Sequence, residues 1–169
     1  WCMKQHITVL TGASRGLGLA MARQLRAQGA RLLTLSRHPN PSIDGPGVEQ
    51  WAVNLAQQPA EAASRLAAWV SALPRTQIAS LTLINNAAGL STPTPLQFGD
   101  ATEMSAALRV GLEAPVLLSA AFLNASADLS VPRRLLNISS GLGRHAMAGS
   151  AAYCATKAGL HHPRRAVAL

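Results

Sequence analysis

The chain alternates between short apolar runs and longer segments in which apolar residues recur at helical spacing. Runs of aliphatic and β-branched residues predict strands at residues 6–10, 31–36, 78–84 and 133–139, with a weaker one at residues 48–53. Helical spacing of apolar residues predicts helices at residues 16–29, 59–73, 102–123 and 151–169. Proline, glycine and asparagine fill the connections between them, as expected for turns.

This order of elements predicts an α/β fold. Strands that alternate with helices form parallel sheets through right-handed crossovers, so we expect a Rossmann-like, doubly wound parallel sheet in three αβα layers. Residues 78–84 and 133–139 are apolar enough to predict strands that are buried on both faces. No repeat, linker or low-complexity segment interrupts residues 1–169, which we interpret as a single domain.

Composition narrows the class of protein. Hydrophobic residues make up 49% of the chain and charged residues only 13%, which favours a compact globule over a disordered chain. No apolar run approaches the roughly 18 uncharged residues of a membrane span, and the first residues contain no hydrophobic signal region. Cys2 and Cys154 are too few to predict a disulfide framework. We therefore expect a cytoplasmic protein without a membrane partner.

The formal net charge of +8 is the second compositional feature. Thirteen of the 15 basic residues are arginine, and they are scattered instead of clustered. Aromatic residues make up only 4% of the chain, which leaves no stacking platform for single-stranded nucleic acid. The charge favours a site for an anionic ligand and indicates no specific nucleic-acid partner.

A glycine-rich loop follows the first predicted strand and opens the first predicted helix, with the sequence Thr-Gly-Ala-Ser-Arg-Gly-Leu-Gly at residues 11–18. Gly12 permits a tight exit from the strand, Gly16 lets a pyrophosphate approach the backbone, and Gly18 lets the helix pack against the sheet. The helix N-terminus adds unpaired N–H groups and partial positive charge. The loop therefore predicts a dinucleotide site, with these binding residues: Gly12, Ser14, Arg15, Gly16, Leu17 and Gly18.

The end of the second strand indicates which dinucleotide is bound. An acidic residue there would accept hydrogen bonds from the ribose 2′-hydroxyl, whereas an arginine would pair with a 2′-phosphate. The strand ends in Leu-Ser-Arg at residues 35–37, and no carboxylate follows before Asp44. Arg37, together with Arg15, predicts a preference for NADP(H) over NAD(H).

Three further motifs follow the loop. Asn-Asn-Ala-Ala-Gly occupies residues 85–89, Asn-Ile-Ser-Ser occupies residues 137–140, and Tyr153 precedes Lys157 by four residues. In this order the four motifs resemble the short-chain dehydrogenase/reductase family, and residues 138–141 and 152–159 are most similar to its sepiapterin reductase and benzil reductase branch. The resemblance runs from about residue 6 to the end of the chain.

The resemblance implies an NADPH-dependent reductase of a ketone or aldehyde. Tyr153 would be the general acid, Lys157 one helical turn later would favour the phenolate and hold the nicotinamide ribose, and Ser140 would polarise the carbonyl. It also implies further cofactor-binding residues: Asn54, Leu55, Asn85, Asn86, Ala87 and Gly89, with Tyr153 and Lys157. No metal is expected, because the adjacent His161 and His162 would point in different directions on a helix.

The chain departs from the family pattern at three places. Gly111 occupies the position of an asparagine that usually joins a proton relay to the lysine, and Asn54 replaces an aspartate that contacts the adenine. The chain also stops at Leu169, so the two last strands and the substrate-covering loop usual in the family are lacking, and Pro163 would kink the final helix.

These departures leave alternatives open. The chain is interpreted first as a carbonyl reductase, second as a truncated or relay-defective cofactor-binding protein with little turnover, and third as a basic RNA- or polyanion-binding Rossmann domain. A homodimer or homotetramer through residues 102–123 and 151–169 is what the resemblance implies for assembly.

Overall fold

A computed structural model describes residues 4–160 of the chain. Its strands form one parallel sheet in the order β3-β2-β1-β4-β5, and the strands are these: β1 (Gln5–Thr11), β2 (Arg31–Ser36), β3 (Val48–Ala52), β4 (Ile78–Asn85) and β5 (Arg133–Asn137). The β1–β2, β1–β4, β2–β3 and β4–β5 pairs are all parallel, so the carboxyl ends of the strands meet at one edge. The predicted Rossmann-like topology is confirmed.

Helices cover both faces of this sheet. They are α1 (Gly16–Ala27), α2 (Pro59–Ser71), α3 (Ala101–Leu108), α4 (Ala114–Ala125) and α5 (Ala151–Gly159). Single 3₁₀ turns occupy Pro41–Ile43, Arg75–Gln77, Leu96–Phe98 and Gly141–Gly143. The larger core cluster packs α2 and α4 on one face of the sheet, and the smaller one packs Ala22 of α1 on the other. Successive strand residues such as Val9 and Leu10 belong to opposite clusters, as the alternation of side chains along a strand requires.

One predicted helix is interrupted. The predicted segment 102–123 consists of α3, a π-helical turn at Arg109–Glu113, and α4. Such turns insert one extra residue into a turn of an α-helix and are frequently found at functional sites. The spacing of apolar residues predicts one continuous helix here and does not mark the π-helical turn.

The prediction that the last strand is buried on both faces is wrong. β5 ends at Asn137 instead of Ser139, and Arg133 and Arg134 are exposed, while Leu136 keeps 47% of its surface accessible. In the described part of the chain, β5 is one of the two edge strands and has β4 as its only neighbour. An apolar run therefore predicted the strand correctly but not its position in the sheet. The predicted final helix is described as far as Gly159, and the expectations for His161, His162 and Pro163 lie outside the described residues.

The helical stretch Ala101–Ala125 is long and apolar enough to cross a membrane, judged by length and composition alone. Core helices of soluble proteins meet the same criterion, so one such helix is weak evidence. In this fold Leu118 and Phe122 are fully buried and belong to the larger core cluster. The apolar face of α4 is therefore used to cover the sheet.

We expect Leu118→Ala to lower the free energy of unfolding by about 2–5 kcal/mol, because it leaves a cavity in the core beneath α4. Val116→Ala is the matched control, since Val116 lies on the same helix but is 40% exposed, and it should cost less than about 1 kcal/mol. Urea unfolding followed by circular dichroism measures both values. Equal losses for the two variants would contradict the placement of α4 in the core.

Candidate active site

The glycine loop leaves β1 and enters α1 as a tight turn. Gly12 and Gly16 adopt φ values of +73° and +55°, a region that residues with a Cβ disfavour. A Cβ at Gly18 would collide with the carbonyl oxygen of Gly12. The backbone N–H of Gly12 donates to the carbonyl of Leu35 at 2.8 Å, which joins the loop to the end of β2. The loop conformation thus requires glycine for backbone reasons alone.

The ends of β1 and β4 are held together directly behind this loop. The hydroxyl oxygen of Thr11 accepts the backbone N–H groups of Asn86 and Ala87 at 3.0 and 2.9 Å. The side-chain amide of Asn86 donates in return to the carbonyls of Thr11 and Gly12 at 3.0 and 3.1 Å. Asn86 therefore fixes the backbone at the start of the glycine loop.

A cleft of about 580 Å³ opens above this loop, within the size range of small-molecule sites. It collects most of the residues predicted to bind a cofactor: Gly12, Ser14, Arg15, Gly16, Leu17, Gly18, Arg37, Asn54, Leu55, Asn86, Ala87 and Gly89. Asn85 does not line the cleft. Its buried side chain donates to the hydroxyl of Ser119 and to the amide oxygen of Asn137, so it joins β4 to α4 and β5.

Sequence reasoning missed the residues that α3 and the strand ends add to the cleft. They are Leu35, Ser36, Val53, Ala56, Ala88, Leu90, Glu103, Ala106, Ala107 and Val110. Those at strand ends follow from the parallel topology and were within reach of the prediction. Those on α3 were not, because periodicity shows that a helix has two faces without showing which neighbour each face meets.

The charged residues that line the cleft are two arginines, Arg15 and Arg37, and one carboxylate, Glu103. Arg15 and Arg37 are exposed, and neither forms an ion pair with a carboxylate among residues 4–160. Asp44, the nearest acidic residue after β2, does not line the cleft and accepts a hydrogen bond from Gln50. The side chain of Arg15, the residue before α1, makes no capping hydrogen bond to that helix. These features suit a phosphate at the α1 N-terminus.

The side chains of Tyr153 and Lys157 both lie on α5. Lys157 is only 2% exposed, and its ammonium donates to the carbonyl of Ile138 at 2.7 Å. Its Nζ lies 5.5 Å from the centre of the half-buried Tyr153 ring. Burial removes water from the ammonium and lowers the pKa of Lys157 below its ordinary value of 10.5.

The third predicted catalytic residue, Ser140, follows β5. Its hydroxyl accepts the N–H of Leu142 at 3.2 Å and so caps the 3₁₀ turn Gly141–Gly143, which packs against α5. Ser140, Tyr153 and Lys157 therefore share the edge at which β4 and β5 end, although none of them lines the described cleft. The role of Ile138 was not predicted, because it acts through its backbone carbonyl.

Two positions differ from the family pattern in instructive ways. Gly111 lies buried in the π-helical turn, and a Cβ there would lie 2.8 Å from Cβ and Cγ2 of Thr156. The oxygen of the Asn54 side chain accepts the N–H of Ala56 at 3.0 Å, so it orders the turn after β3.

Cys154 is a free, buried thiol, and no group of three or more metal-ligating side chains occurs within residues 4–160.

Comparison with known proteins matches this architecture. A family model described as short chain dehydrogenase matches residues 6–169. The benzil reductase ((S)-benzoin forming) of Bacillus subtilis (strain 168) is 34% identical over 157 residues, which are 92% of this chain and 63% of that protein. The chain thus spans slightly less than two thirds of the length of the curated relatives it matches first, 64% and 63%.

Solved structures agree. A short-chain dehydrogenase/reductase from Burkholderia vietnamiensis is 34% identical with a TM-score of 0.84, covering 97% of this chain and 79% of that one. A metagenomic short-chain oxidoreductase in complex with NADP is 30% identical with a TM-score of 0.78, covering 99% and 75%. With its glycine loop, its parallel sheet and its paired tyrosine and lysine, the chain belongs to the short-chain dehydrogenase family.

Proposed function

We propose that the protein is an NADP(H)-dependent oxidoreductase that interconverts a small-molecule carbonyl compound and its alcohol, with Tyr153 as the general acid in reduction. One observation carries the proposal. A single edge of the sheet brings together the glycine loop, two unpaired arginines and the helix that carries Tyr153 and Lys157. A phosphate-binding end and a proton-donating end at one edge are what hydride transfer to a carbonyl needs.

The residues present fit the cofactor. Open space lies above Gly16, where a built Cβ would meet no atom within 4 Å, so a pyrophosphate has room to approach the α1 N-terminus. The glycine loop and Arg15 would hold the phosphates, and Asn54, Leu55, Ala87 and Gly89 would line the remainder of the dinucleotide. NADPH, when bound, supplies the hydride that adds to the carbonyl carbon.

The choice of NADP(H) over NAD(H) follows from charge. A 2′-phosphate needs cations, and Arg15 and Arg37 provide them without an ion pair to any carboxylate of residues 4–160. Glu103, which also lines the cleft, accepts the backbone N–H of Thr92. A carboxylate at the end of β2 would instead have favoured the 2′-hydroxyl of NAD(H). The NADP complex of the metagenomic relative supports the same choice.

We assign proton transfer to Tyr153, with Lys157 and Ser140 in supporting roles. In reduction the Tyr153 hydroxyl gives its proton to the carbonyl oxygen, and the alcohol forms as hydride reaches the carbon. The positive charge of Lys157, 5.5 Å from the ring, stabilises the phenolate left behind. Ser140 would donate a hydrogen bond to the same carbonyl oxygen and polarise it.

The substrate class proposed is a ketone or aldehyde. The name of the Bacillus subtilis relative gives benzil as its substrate and (S)-benzoin as its product, which is a diketone reduced at one carbonyl. A diketone panel is therefore the first choice for assay. A cytoplasmic location and a homodimer or homotetramer through α3, α4 and α5 belong to the same proposal.

We expect Tyr153→Phe to lower the rate of NADPH oxidation with benzil by at least about 100-fold, because the proton donor is lost. NADPH affinity, measured by nicotinamide fluorescence, should change less than about threefold, a difference below 1 kcal/mol. Ser105→Ala, which removes an exposed hydroxyl on α3, is the control and should keep the wild-type rate. Full activity in Tyr153→Phe would contradict the assigned acid, and wild-type binding without turnover across a ketone panel would favour the little-turnover alternative.

We expect Arg37→Ala to weaken NADPH binding about tenfold or more while leaving NADH binding nearly unchanged, because only NADPH carries a 2′-phosphate to pair with. Arg134→Ala removes the same charge at the far edge of the sheet and controls for net charge. Thermal-shift titration with both cofactors measures the effect. A parallel loss for NADPH and NADH in Arg37→Ala would refute the proposed selectivity.

The lowered pKa of Lys157 predicts a pH-dependent stability. The unfolded lysine stays protonated up to about pH 10.5, while the folded one releases its proton earlier, so folded protein gains stability as pH rises through that window. We expect this rise in the wild type and a flatter profile in Lys157→Met. Urea unfolding between pH 7 and pH 10.5 measures both profiles, and identical slopes would show that the ammonium is not desolvated.

A further inference from the structure

We propose that Gly111 and Thr156 form a steric pair that sets the position of Tyr153 and Lys157 by seating α5 against the π-helical turn Arg109–Glu113. Both are positioning residues, and their effect on turnover rests on the proposed function. The seating itself is a property of the fold and can be tested without any cofactor or substrate.

The first contact places Thr156 where a side chain of residue 111 would otherwise lie. A Cβ at Gly111 would be 2.8 Å from Cβ and Cγ2 of Thr156 and 2.9 Å from its hydroxyl oxygen. Thr156 is only 1% exposed, and its hydroxyl donates to the carbonyl of Tyr153 at 2.7 Å, so it has little freedom to move away. A side chain at position 111 would therefore push α5 outward.

In a second contact the glycine lies on α5 and the side chain lies on the π-helical turn. A Cβ at Gly159 of α5 would lie 2.9 Å from a methyl group of Leu112, which follows Gly111 in the π-helical turn. Each segment thus presents a glycine to a side chain of the other. The two contacts lie before and after Lys157 along α5. They therefore fix the distance of α5 from the π-helical turn and the rotation of α5 about its own axis.

The distance of α5 from the π-helical turn is important because Lys157 is hydrogen-bonded to a backbone carbonyl outside α5. Its ammonium donates to the carbonyl of Ile138 at 2.7 Å, and the N–H of Ile138 donates to the carbonyl of Asn85 at the end of β4. A shift of α5 by a few tenths of an ångström would stretch the first of these bonds and move the Tyr153 ring with it. The steric pair therefore connects helix packing to the placement of the groups that handle the proton.

This pairing changes the interpretation of Gly111. The position is filled by Thr156 and is not a vacant place for a relay side chain. A single Gly111→Asn substitution should for that reason lower activity instead of improving it. Alanine is a better helix former than glycine, so helix propensity alone would make Gly111→Ala more stable. A loss of activity or stability in this variant would therefore come from steric overlap with Thr156.

The decisive experiment uses Cys154 as a reporter, since this thiol lies on α5 and is only 8% exposed. In a Cys2→Ser background of the full chain, Gly111→Ala should raise the rate of thiol modification by Ellman's reagent at least tenfold. It should lower kcat for NADPH oxidation about tenfold and change the Kd for NADPH by a smaller factor, because the loop proposed to hold the phosphates precedes α1 while Tyr153 and Lys157 move with α5. Gly111→Ala/Thr156→Gly should restore both values, and Ala120→Ser on the exposed face of α4 is the control for an added atom.

Each outcome is decisive. Unchanged thiol reactivity in Gly111→Ala would overturn the steric pair, and raised reactivity with unchanged kcat would overturn the positioning role. If Gly111→Ala does not fold, recovery of folded protein in the double variant supports the pair and its failure to fold overturns it. Absence of turnover in the wild type would refute the proposed function alone, because the thiol rates would still test the seating of α5.

Discussion

The hydrogen bonds between the ends of β1 and β4 are the interaction on which the rest of the site depends. These strands are neighbours in the sheet although far apart in sequence, and the strand order reverses between them. A crevice must form where the connections diverge to opposite faces. Thr11 and Asn86 join the two strand ends through four hydrogen bonds and thereby form the floor of that crevice.

Everything above this floor follows from it in order. The Asn86 amide holds the carbonyls of Thr11 and Gly12, which fixes how the chain turns into α1. The turn aims the N-terminus of α1 at the cleft, and the arginines at the rim have no acidic partners there. On the other side, β4 continues through its ladder to β5, whose end supplies the carbonyl that receives Lys157. The cleft above the glycine loop and the segment that receives Lys157 are thus joined through the backbone of one sheet.

Much of this was predictable from sequence, because glycine loops and strand ends depend on local rules. The strand before Thr11, the glycine loop up to Gly18 and Arg37 after β2 were predicted from spacing and residue type. The family resemblance added Asn86, Ala87 and Gly89 after β4, whereas Leu35 and Ser36 at the end of β2 were missed. What failed required non-local information. Asn85 looked equivalent to Asn86 in sequence, yet alternation along the strand directs it to the interior, where its amide oxygen is a buried polar atom without a partner among the described residues. The π-helical turn and the seat of Thr156 depend on contact between two segments, which no single periodicity contains.

The end of α4 has a consequence for how the net positive charge of the chain is used. Arg75 donates to the carbonyl of Ala125 at 3.1 Å, and Arg133 at the start of β5 donates to the carbonyl of Ser126 at 3.2 Å. The last carbonyls of a helix have no partner within the helix and carry partial negative charge. Two of the arginines therefore neutralise the C-terminus of a core helix, and their charge serves the fold and not an anionic ligand.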